Sequence, residues 1–123
     1  MASVIKSRNL LMLQGWYYLL TGIWPLIHIE SFMWVTGPKL EIWLVKTVGV
    51  IITMVGTAFL LEAHYNDRSL SMKLLAVLAA LGFIYVDIHY VARGTIHPVY
   101  LTDAFAQSLL VLFWMIIWLK RKA

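Results

Sequence analysis

Four long apolar runs alternate with short polar breaks along this chain. They cover about 9–29, 42–61, 72–92 and 101–119. Each is close to the ~20 residues that a rise of ~1.5 Å per residue needs to cross a ~30 Å hydrocarbon core. Backbone groups in lipid must find their hydrogen bonds within the segment, so the runs predict helices. The breaks carry the expected turn-formers: Gly37-Pro38, Asn66-Asp67 and the stretch from Gly94 to Pro98. The expected architecture is all-α, a four-helix transmembrane bundle forming one domain over 1–123. Within the first break, Ser31 to Lys39 includes Phe32, Met33, Trp34 and Val35. That is too apolar for a solvated loop, and it predicts a short interfacial helix or re-entrant turn ended by Gly37-Pro38. Gly22 and Pro25 are expected to loosen or kink the first helix near its end.

Composition agrees with this picture. Hydrophobic residues make up 62% of the 123 and charged residues only 13%, where a soluble domain runs nearer half and a quarter. The net charge of +4 could point to nucleic acid, but its placement points elsewhere. Lys6, Arg8, Arg68, Lys73, Lys120, Arg121 and Lys122 fall on one side of the alternating spans. Lys39 and Arg93 fall on the other, with Lys46 inside a span. By the positive-inside rule both termini are cytoplasmic, and no basic patch is left for a nucleic acid. Trp24, Trp34, Trp43, Tyr90 and Tyr100 then form an outer aromatic belt, with Tyr65, Trp114 and Trp118 on the inner side. The chain has no cysteine, which excludes thiolate metal sites, thiol–disulfide relays and c-type haem attachment.

The remaining polar residues gather at one depth. In the second span Gly49, Thr53, Gly56 and Thr57 make a small-residue stripe that lets a neighbouring helix approach closely. Lys46, one turn earlier, is expected on the same face. In the third span Ala76, Ala79, Ala80 and Phe83 step toward Asp87. In the fourth, Asp103 and Gln107 are four apart and share a face. A Lys46–Asp87 ion pair is expected, with Arg93 or Lys46 as the partner of Asp103. Tyr85, His89 and Arg93, each four apart, form a second polar stripe. Two readings follow. In one, Lys46 snorkels, Asp103 serves the helix N-terminus and Asp87 neutralises Lys46, so that the layer locks helix register. In the other, Lys46, Asp87, Asp103 and Gln107, with Arg93 and His89, bind a ligand or ion, because ionisable groups inside a bilayer mark such sites. His28 and His89 lie on different helices at similar depth, as a b-type haem would require. No HxxxH or HxxH spacing lies within a helix, and no nucleophile elbow or phosphate loop is present, so no metal, cofactor or catalytic residue is assigned.

Three strings carry a resemblance: Gly15-Trp16-Tyr17-Tyr18-Leu19-Leu20-Thr21-Gly22; the run from Gly37-Pro38-Lys39-Leu40-Glu41 to Lys46-Thr47-Val48-Gly49; and Ile96-His97-Pro98-Val99-Tyr100-Leu101-Thr102-Asp103-Ala104. With them the chain resembles small bacterial four-span membrane proteins distantly similar to the DoxX-like group. The resemblance implies a multi-pass protein of the bacterial cytoplasmic membrane and transfers no catalytic residue. DoxX-like members are linked to quinone and redox systems. The first functional expectation is a non-enzymatic accessory or scaffold subunit of a larger membrane complex, partnered by lipid and by another membrane protein or its own copies. The second is a ligand- or ion-binding protein using the charged layer. The third is a quinone-linked redox unit.

Overall fold

The computed structural model describes residues 7–37, 41–65 and 69–122. Lys6, Lys39 and Arg68 of the charge count lie outside the described residues, as do Pro38 and the Asn66-Asp67 break. So do the side chains of Lys120, Arg121 and Lys122. Five helices follow in order: α1 Ser7–Ile27, α2 Ile29–Thr36, α3 Ile42–Tyr65, α4 Leu70–Ala92 and α5 Tyr100–Lys122. Four of them, over Ser7–Ile27, Ile42–Tyr65, Leu70–Ala92 and Tyr100–Leu119, are long and apolar enough to cross a membrane.

The boundaries follow from local chemistry. α1 runs through Pro25 and stops at Ile27, two residues earlier than hydropathy predicts. His28 leaves helical geometry and caps α2 instead, its Nδ1 accepting the Ser31 N–H at 3.2 Å. α2 ends at Gly37, whose φ of +95° glycine adopts without strain. α4 opens on Ser69, whose hydroxyl accepts the Met72 N–H at 3.2 Å. It closes with Gly94 at φ +75°, the Gly94 N–H bonding Val91 O and the Thr95 N–H bonding Tyr90 O. That pairing is a Schellman motif, which satisfies carbonyls the helix end would otherwise orphan. α3 continues to Tyr65, beyond its predicted end at Leu61, because helical hydrogen bonding does not stop where hydrophobicity does.

The helices associate as two close pairs, α1 with α3 and α4 with α5. The first pair is built on glycine. A Cβ at Gly22 would stand 2.8 Å from Gly49 O, and one at Gly56 would stand 2.7 Å from Gly15 O and 2.5 Å from Leu19 N. Gly15 therefore faces Gly56 and Gly22 faces Gly49 in one antiparallel register, each helix supplying glycines seven apart. The expected small-residue stripe on α3 is thus an interface, and Gly22 serves close approach. Thr53 and Thr57 spend their hydroxyls on the carbonyls four residues back.

The two pairs meet in a core of Leu10, Leu11, Tyr18, Phe59, Ala63, Ala76, Val77, Leu110, Trp114 and Ile117. This core fills the half of the bundle near the α3–α4 turn. Around the girth Leu13, Leu20, Met54, Leu78 and Phe105 stand exposed, while Gln14, Lys73, Asp87 and Gln107 are buried. The bundle is apolar outside and carries a few buried polar groups within its largely apolar core.

Candidate functional site

A line of side-chain hydrogen bonds runs through the interior. Trp114 Nε1–H donates to Gln14 Oε1 at 2.8 Å. Gln14 Nε2 donates to Ala76 O at 2.8 Å and to the Tyr18 hydroxyl oxygen at 3.2 Å. The Tyr18 hydroxyl donates to Gln107 Oε1 at 2.8 Å, and Gln107 Nε2 donates to Asp103 Oδ1 at 3.3 Å. The Tyr17 hydroxyl donates to the same Asp103 oxygen. Along α5, Asp103 to Trp114 is about 16 Å at the helical rise. Every polar atom named has a partner, as burial in a low dielectric demands.

The line ends on Asp87 of α4. This carboxyl is 3% exposed and within hydrogen-bonding reach of the Asp103 carboxyl. Its Oδ2 is the one buried side-chain atom among the described residues with no hydrogen-bond partner. Two carboxylates are both acceptors, so a hydrogen bond between them requires a proton on one. Oδ2 is left for that proton.

A cavity of about 600 Å³ lies between the two helix pairs, at the end where α2 crosses the bundle. Asp87, Asp103, Tyr17 and Gln107 form its polar end. Val45, Val48 and Ile52 of α3 and Phe83 of α4 wall it, and Trp24, Phe32 and Val35 close it on the α2 side. Trp24 is held there by its Nε1–H bond to Ser31 Oγ at 2.9 Å and by edge-on packing against Phe32. Thr36 of α2 hydrogen-bonds Tyr100 at the start of α5, tying the short helix across the opening. A concave apolar site with a few convergent polar groups is the usual form of a small-molecule pocket, and ~300–1,000 Å³ is its usual size.

Of the six residues expected at the site, Asp87, Asp103 and Gln107 come together here. The other three do not join them. Lys46 is exposed and Asp87 buried, and no ion pair links them among the described residues. The reason is angular. Taking Gly49 as reference and ~100° per residue, the cavity-facing residues Val45, Val48, Gly49 and Ile52 centre about 110° from Lys46. Small residues three positions away did not put the lysine on their face. Arg93 caps α4 and is exposed. Asp103 takes Tyr17 and Gln107 as partners instead of Arg93 or Lys46. His89 is half-buried and stacks on Tyr85, ring centroids 5.3 Å apart and 13° from parallel. His28 is exposed, occupied in capping α2. Gln14, Tyr17 and Tyr18 were not anticipated. The signal was present in Gln14 and Tyr18, polar groups four apart on one face of an apolar span. Searching for charge alone passes over it.

Among the described residues no three histidines, aspartates or glutamates cluster as a metal site would need. No protein-family model, curated protein or solved structure matches the chain.

Proposed function

We propose that this is a multi-pass membrane protein that binds a small amphipathic molecule in the cavity between its helix pairs. The observation that carries the reading is the buried, unpartnered Asp87 Oδ2 at the polar end of a ~600 Å³ apolar cavity. The exposed apolar girth around a buried polar line supports embedding in lipid, since a large exposed apolar surface needs a cover. The Lys and Arg distribution supports cytoplasmic termini. That orientation turns the α2 end and its cavity outward, and the resemblance in the sequence favours a bacterial cytoplasmic membrane. An accessory-subunit role draws on the same apolar girth, which lipid covers equally well, so the cavity discriminates between the two readings.

The test uses the full chain in mild detergent. Thermal unfolding is followed with a panel of small amphipathic molecules, for the native protein and for Val45→Trp, which fills the cavity from α3. Ligands should raise the melting temperature of the native protein and leave Val45→Trp unmoved. Equal shifts in both, or none in either, would overturn the proposal.

A further inference from the structure

We infer that the molecule taken up by this cavity is an organic cation, an amine with an aromatic or aliphatic body, held by the Asp87–Asp103 carboxyl pair. The inference rests on the ligand-binding reading above and specifies its chemistry.

The polar end of the cavity offers acceptors and no cation. Two carboxyls face it, and no lysine, arginine or histidine lines it among the described residues. Asp87 Oδ2 has no hydrogen-bond partner, and the carboxyl pair has no counterion among the lining residues. A neutral ligand with a carbonyl end, such as a quinone, could accept the pair's one proton but would leave its negative charge unmatched. The Tyr17 and Tyr18 hydroxyls, the natural donors to such a ligand, are already committed to Asp103 and Gln107. A bare metal ion is poorly served as well, because two carboxyls fall short of the six or so oxygens a hard cation wants. An ammonium group satisfies each condition. It donates to the carboxyl pair lining the cavity and supplies the charge that a carboxylate in a low-dielectric site lacks. Its body meets Trp24, Phe32 and Phe83, whose ring faces attract cations and whose area buries apolar carbon.

Protons compete for the same oxygens. The ionisable groups facing Asp87 are Asp103 and Tyr100 from α5 and Tyr17 and Tyr18 from α1, while α2 and α3 present only apolar and hydroxyl side chains. A cation and a proton therefore compete at Asp87, and a neutral molecule stays outside that competition.

Phenylbutylamine and phenylbutanol make the test, since they share a body and differ in an ammonium against a hydroxyl. Calorimetric titration into the full chain in mild detergent should show the amine binding about thirtyfold or more tightly than the alcohol, as a desolvated charge pair implies. Amine affinity should fall on acidification, with alcohol affinity constant. The double variant Asp87→Asn/Asp103→Asn should bind the two equally. Should that variant not fold, the native comparison and its pH profile decide alone. Equal native affinities, both abolished in Val45→Trp, would sink the cation while leaving the cavity reading intact. If neither probe binds at any pH, both proposals fall.

Discussion

Replacing Gly56 by alanine tests the glycine contact between α1 and α3. The new Cβ would lie 2.5 Å from Leu19 N and 2.7 Å from Gly15 O, where ordinary contact begins at 3.4 Å. Both obstacles are backbone, so no side chain can swing aside. The helices must separate by about 0.9 Å, the difference between 3.4 and 2.5 Å. A gap of that size forfeits about a quarter to a half of each dispersion contact along the seam, and overpacking of this kind costs roughly 1–3 kcal/mol. Alanine also gains about 1 kcal/mol of helix propensity over glycine, which would mask part of the loss. Gly82 on α4 supplies the control, because a Cβ there meets nothing within 4 Å. Gly82→Ala carries the propensity gain without the clash, so the difference between the two variants isolates the steric cost at roughly 1–3 kcal/mol. Reversible unfolding in mixed micelles, read by tryptophan fluorescence, measures it. Equal stability of Gly56→Ala and Gly82→Ala would show that the helices are not in backbone contact, and the register derived from it would fail.

Gln14→Leu should destabilise the bundle by roughly 1–3 kcal/mol in the same assay, because it strands the Trp114 N–H and removes the second bond to the Ala76 carbonyl; an unchanged midpoint would refute the buried line. A cycle of Lys46→Met, Asp87→Asn and the double variant should be additive within about 0.5 kcal/mol. Coupling of 1 kcal/mol or more would restore the ion pair that the structure separates. Tyr17→Phe and Asp103→Leu should couple in a like cycle by roughly 0.5–2 kcal/mol, since each removes one end of a single bond; strict additivity would contradict it. A cytoplasm-specific reporter fused after the last residue should be active, and periplasmic activity would invert the orientation of the cavity.

Much of the architecture is legible in the chain because length and hydropathy answer to the thickness of a bilayer. Four long apolar helices, a short helix overlapping Ser31–Lys39 and the close approach at Gly49 and Gly56 on α3 are all readable from the chain. Lys46 shows where that legibility stops. Depth is a one-dimensional property and survives reading along the sequence, but facing depends on the neighbour that covers a helix. Here α1 covers Gly49 and Gly56, and the rotation this sets leaves Lys46 outside. Lys73 errs in the other direction: loop-charge counting treats it as a water-facing cation, yet it is 4% exposed, its long apolar stem able to cross the packed surface. The acidic pair was visible only as two carboxylates at one depth. That they share a contact is settled by how α4 and α5 pair, and that Tyr17 serves Asp103 by how α1 meets α5.

The glycines seven apart on α1 and α3 bear on how the protein is made. Gly15 meets Gly56 while Gly22 meets Gly49, so the two contacts work like the marks of a vernier. Sliding one helix by a single turn sets bulky side chains against both notches. Sliding by seven residues seats one notch and leaves the other empty. Only one alignment seats both. The two helices are consecutive long apolar segments, so this check can operate as soon as the second has been made, before α4 and α5 exist to be packed. The first hairpin would then present a finished wall, already in register, against which the second half closes over the cavity.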